Sequence, residues 1–97
     1  MDSVELTILR NLLHNDEYSR KVLPFINKEY FESYHEKIVF EEISQFIVKY
    51  NNLPTKETLI IETEKRTDIN EDTFKQICEY VNLLNDLPSD QQWLIDT

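Results

Sequence analysis

Residues 33–50 read Ser33-Tyr34-His35-Glu36-Lys37-Ile38-Val39-Phe40-Glu41-Glu42-Ile43-Ser44-Gln45-Phe46-Ile47-Val48-Lys49-Tyr50. Val39, Phe40, Ile43, Phe46, Ile47 and Tyr50 recur at three- and four-residue spacing, the repeat that lines one face of a helix. Glu36, Lys37, Glu41, Glu42, Gln45 and Lys49 fall mostly on the other face. Ser33, with Glu36 three residues on, matches a capping box, in which hydroxyl and carboxylate each satisfy a backbone N–H. The spacing predicts a central helix over 33–50.

What ends this helix is as telling as what builds it. Asn51-Asn52-Leu53-Pro54 follows, with Asn where a helix usually ends on glycine. The 97 residues contain no glycine, against about seven at the average usage of roughly 7%. Phosphate-cradling loops, dinucleotide fingerprints, nucleophile elbows and EF-hand turns all depend on glycine, so those sites are excluded. Helices on short connections need few positive-φ residues, whereas tight hairpins need many.

Working outward, Thr55 caps a helix reaching about Glu64, with Leu59, Ile60 and Ile61 to bury. Asp68 to Glu71 reads as a turn. Asn70 or Asp72 then opens a helix whose Phe74, Ile77, Cys78, Val81 and Leu84 form a stripe closed by Asp86-Leu87-Pro88. Ser89 and Gln92 make another capping box, and Trp93, Leu94 and Ile95 begin an apolar face that Thr97 cuts short, so a truncated helix is expected at 89–97. Toward the N-terminus, Asp2 and Glu5 frame a helix over Ser3 to Leu13, with Leu6, Leu9, Leu12 and Leu13 on one face. A short second helix follows, capped by Asn15, carrying Tyr18, Val22, Phe25 and Ile26, and ended or kinked by Pro24. Glu29 to Glu32 reads as a single turn. The expected fold is all-α, a compact bundle of about six helices forming one domain over residues 1–97. Its expected core holds Phe31, Phe40, Ile43, Ile47, Leu59, Phe74, Ile77 and Val81.

Nineteen acidic against ten basic residues give a net charge of -9. That balance repels a phosphate backbone and provides no basic stripe, so direct nucleic-acid binding is not expected and a basic protein partner is. With one cysteine there is no internal disulfide. With no signal peptide and no long apolar run, the chain reads as cytoplasmic and free of membrane spans.

Little in the sequence calls for catalysis. Cys78 lies on an apolar stripe and reads as a buried structural thiol. Glu32 and His35 have the Glu-x-x-His spacing of di-iron bundles, but the second pair and the facing glutamates are missing, and a helix cap falls inside the motif. Zinc lacks ligands. Adjacent carboxylates such as Glu41-Glu42 read as a solvated face. No catalytic residue, metal site or cofactor is expected. Aromatic side chains near the turns remain as partner-binding candidates: Tyr18, Tyr34, Tyr50 and Trp93.

A resemblance adds to this. Lys21-Val22-Leu23-Pro24-Phe25, then Glu29-Tyr30-Phe31-Glu32-Ser33, Phe40 nine residues after Phe31, Leu53-Pro54-Thr55 after the long helix, and the closing Asp86-Leu87-Pro88-Ser89-Asp90-Gln91-Gln92-Trp93-Leu94 run through the chain in order. Together they make it similar to the N-terminal domain of DnaB-type replicative helicases, closest to the version in T-even-like phages. The resemblance implies a helical head in the collar of a ring-shaped hexamer, which recruits primase and helps the subunits assemble during DNA replication. Residues 89–97 then begin the family's helical hairpin. ATP and magnesium belong to an ATPase domain that follows in the family and is absent here. Unlike bacterial members, this chain has Asn51-Asn52 in place of a glycine loop, and Tyr34-His35 in place of a more basic segment. The alternative reading is a stand-alone acidic inhibitor that mimics DNA, against which the interleaving of Lys with Glu along the helices argues.

Overall fold

The computed structural model describes residues 4–84. They form five α-helices: α1 Val4–His14, α2 Asp16–Val22, α3 Tyr34–Tyr50, α4 Lys56–Glu64 and α5 Glu71–Asn82. Two 3₁₀ turns, Leu23–Phe25 and Lys28–Tyr30, link α2 to α3, and the described residues contain no strand. The all-α fold is as the sequence indicates. The helix expected at 89–97, and Trp93 with it, lie outside the described residues.

α3 is the axis of the fold, packing against α1, α4, α5 and the Lys28–Tyr30 turn. α4 also packs on α5, and α1 on α2. The leucines of α1, Leu6, Leu9, Leu12 and Leu13, meet Phe31, Ile38, Val39, Phe40 and Ile43 in one core that Leu59, Ile77, Val81 and Leu84 complete. Phe31 and Phe40 pack with ring centroids 5.3 Å apart. His14 Nε2 donates to the Leu84 carbonyl at 2.6 Å, tying the end of α1 to the chain just past α5.

The helix starts are built as their residues dictate. Asn15, Thr55 and Asn70 accept through their side chains from the backbone N–H groups of Tyr18, Thr58 and Thr73, at 3.1, 3.1 and 2.8 Å. This settles the start of α5 on Asn70. At the end of α3, Asn51 adopts φ 54°, ψ 35°, the left-handed conformation for which glycine is normally chosen. Its N–H bonds to the Ile47 carbonyl at 2.8 Å, and Arg20 holds its side-chain oxygen at 3.0 Å.

Several expectations need correcting. Ser33 makes no side-chain cap bond. Glu36 is instead buried and accepts the Tyr80 hydroxyl at 2.7 Å, so a tertiary partner has taken the carboxylate that a capping box needs. α2 stops at Val22, so Phe25 falls in the tighter turn that follows and not in the second helix, and it is 87% exposed. Phe74 and Cys78 are only half-buried, as is Ile47. Ile61 is exposed, because α4 turns Leu59 and Thr63 inward. α5 ends at Asn82, ahead of the expected stop at Asp86-Leu87-Pro88.

Candidate protein-docking surface

Several polar side chains are engaged in holding the fold. The Glu41-Glu42 pair meets Arg66, whose Nη1 lies 2.7 Å from Glu42 Oε2 and whose Nη2 lies 3.6 Å from Glu41 Oε1 and 2.7 Å from Asp68 Oδ2. The hydrogen bond from Arg66 holds the Asp68 carboxyl below the ordinary range. Asp68 and Glu42 in turn raise the Arg66 guanidinium further above its already high value, against the opposing effect of burial. This network joins the residues after α4 to the middle of α3. Glu32 is exposed ahead of α3, while the His35 ring lies edge-on to Tyr80 at 4.9 Å. Among the described residues no group of three or more His, Cys, Asp or Glu side chains is placed to hold a metal ion. Burial, reinforced by Glu64 and Glu79, pushes the Cys78 thiol up, which disfavours the thiolate that cysteine chemistry requires.

The aromatic candidates do not gather into one patch. Tyr18 is half-buried against the core, and its phenol is pushed up by burial and then by Tyr30. Tyr34 is half-exposed and donates to the Asp68 carbonyl at 3.3 Å. Tyr50 lies 4.6 Å from the Phe46 ring, with Lys49 Nζ at 5.2 Å from its centroid. Tyr34 and Tyr50 are the first and last residues of α3, so the helical rise separates them by about 24 Å. Trp93 is outside the described residues.

What the structure does bring together is a groove that the sequence did not single out. The Lys28–Tyr30 turn packs on α3, and Ile26, Asn27 and Lys28 with Phe40, Glu41, Ser44 and Gln45 of α3 line an open depression of about 260 Å³. Phe25 precedes Ile26 in the chain, is exposed, and is not one of the lining residues. Val48 lies one turn beyond Ser44 and Gln45 and is 79% exposed. Pro24 was the available signal: it ends the α-helix and changes the rotation per residue, so Phe25 leaves the stripe of Tyr18 and Val22.

No helix among the described residues is long and apolar enough to cross a membrane. Compared with known proteins, the chain is 30% identical over 88 residues, 91% of its length, to a DnaB-like replicative helicase of Enterobacteria phage T4. It spans 18% of that helicase's length, so the similarity concerns a small part of the larger protein. No protein-family model and no solved structure matches the chain.

Proposed function

We propose that this chain is the N-terminal head domain of a DnaB-type replicative helicase, a protein–protein docking and ring-assembly module that recruits primase during DNA replication. One observation carries the reading: the 30% identity to a phage replicative helicase extends over 91% of the chain and is not confined to a short motif. The properties of the surface support it. A helical unit with net charge -9 suits docking to protein better than binding to DNA. In this reading the head performs no catalysis. ATP and magnesium bind, and strand translocation occurs, in a separate ATPase domain of the full-length helicase, which acts in the cytoplasm as a homo-hexamer.

The test is a calorimetric titration of the chain with the primase of the same replication system. A saturable complex is expected, with co-elution on gel filtration. Absence of both heat and co-elution at high micromolar concentration overturns the reading.

A further inference from the structure

We propose that the last turn of α5 is a locked exit, clamped by Glu36 of α3 and His14 of α1 so that the chain leaves the helical head in one fixed direction. His14 is the half of the lock that opens. The proposal rests on the reading of the chain as a helicase head, in which the residues after Leu84 lead on toward the rest of the larger protein.

Two side-chain hydrogen bonds of long reach end on this turn. The Tyr80 hydroxyl donates to Glu36 Oε2 at 2.7 Å across 44 residues, and His14 Nε2 donates to the Leu84 carbonyl at 2.6 Å across 70. The backbone between Tyr80 and Leu84 is drawn tight: the Leu83 N–H bonds to the Tyr80 carbonyl at 2.9 Å and the Leu84 N–H to the Val81 carbonyl at 3.0 Å. A helix ordinarily leaves its final carbonyls to water. Here the carbonyl just past α5 is received by the last residue of another helix, and the Leu84 side chain is buried in the same core as the leucines of α1. Since α1 and α5 both pack on α3, the two bonds join all three helices at the place where the chain departs.

The two halves differ in their access to water. Glu36 is 7% exposed, and the His35 ring lies edge-on against Tyr80 at 4.9 Å. A buried polar contact of this kind fixes one arrangement of the helices, because breaking it strands a carboxylate. His14 is half-buried, so water can take its place on the Leu84 carbonyl. Opening therefore begins at His14 and stops at Tyr80, freeing Leu83 and Leu84 while Ile77 and Val81, earlier in α5 and fully buried, stay in place.

The experiment measures NMR order parameters of the backbone amides in the 97-residue chain and in its His14→Ala and His14→Gln variants. In the wild type the Leu83 and Leu84 amides should be as rigid as that of Ile77, at about 0.85. In His14→Ala they should fall below about 0.6, with Leu9 and Ile77 unchanged. His14→Gln, whose side-chain amide can donate to the same carbonyl, should return most of the loss. Leu83 and Leu84 that stay rigid in His14→Ala, or are already mobile in the wild type, overturn the lock. So does a loss shared by Leu9 and Ile77, which makes His14 a support of the whole fold, and so does a loss that His14→Gln leaves untouched. All of these outcomes leave the head reading standing, because that reading answers to the primase titration. A wild-type chain that fails to bind primase while the His14 results hold removes the head reading and keeps the lock as a property of the fold.

Discussion

The two halves of α3 are about equally apolar yet lie in different surroundings. Ile38, Val39, Phe40 and Ile43 are buried, and even Glu36 in the first turn is enclosed. Phe46 and Ile47 are half-buried, and Val48 and Tyr50 face solvent. In the first half Glu36 and His35 meet Tyr80 of α5 and Phe40 meets Phe31, whereas in the second Ile47 packs on the core only in part. Amphipathic spacing therefore says where a helix can be covered, and only the neighbouring elements decide where it is. The less covered half leaves Val48 and Tyr50 as exposed apolar surface.

The sharpest way to break this comparison is Phe40→Ala. Phe40 packs on Phe31 and is 5% exposed, so its truncation should cost about 3–5 kcal/mol. That is a large part of a small domain's stability. Urea unfolding followed by circular dichroism measures it. A cost below about 1 kcal/mol would mean the first half of α3 is no better packed than a surface position.

A smaller effect is expected where the first half of α3 buries charge. Tyr80→Phe removes the hydroxyl that Glu36 accepts at 2.7 Å and leaves a buried carboxylate with one partner fewer, a loss of about 1–3 kcal/mol. Burial first, and then the bond to Glu36, raise the Tyr80 phenol above its ordinary 10.0. The folded state thus keeps a proton that the unfolded chain releases near pH 10. The stabilisation is fully present below that pH and drains away as pH rises above it. Denaturation midpoints across pH 8 to about 11 should fall more gently in Tyr80→Phe than in wild type, after allowance for the same trend at Tyr18. Parallel slopes would show that the phenol is not protected.

The capping residues mark how far local sequence reaches. Asn15, Asn51, Thr55 and Asn70 were all legible, because a cap is a bargain between a side chain and its own neighbouring backbone. Ser33 failed because Tyr80, 44 residues beyond Glu36, offered the carboxylate a partner that no local pattern records. Phe74 and Ile61 misled for a related reason: each fits a helical stripe, yet Phe74 is only half-buried and Ile61 is exposed. The docking candidates fared less evenly, since Tyr34 and Tyr50 were placed near turns, but α3 holds them at its opposite ends. Phe25 was read as part of the second helix, whereas the α-helix stops at Val22 and Phe25 lies exposed in the 3₁₀ turn that follows.

At the hinge between the uncovered half of α3 and the following loop, Asn51→Ala should cost about 1–2 kcal/mol. A Cβ-bearing residue without a local hydrogen-bonding group pays the left-handed penalty there, and the bond from Arg20 to Asn51 Oδ1 is lost as well. Asn51→Gly restores the conformation but not that bond, so it should recover most of the loss. Equal destabilisation by the two substitutions would assign the role of Asn51 to its side-chain contact alone and remove the backbone explanation for a chain that turns without glycine.

The smallest expected effect is the most discriminating one. Val48→Ala deletes two methyl groups from a residue that is 79% exposed, so little apolar area leaves water on folding and the change in stability should stay within about 0.5 kcal/mol. Ile43→Ala, five residues earlier on the same helix and fully buried, should cost about 2–5 kcal/mol. If Val48→Ala instead destabilises by more than about 1 kcal/mol in the isolated chain, something already covers the second half of α3, and the contrast between its halves collapses. If it leaves stability unchanged but weakens primase binding, the same side chain is spare in the fold and used in the complex, which is the property that distinguishes a docking surface from an unfinished core.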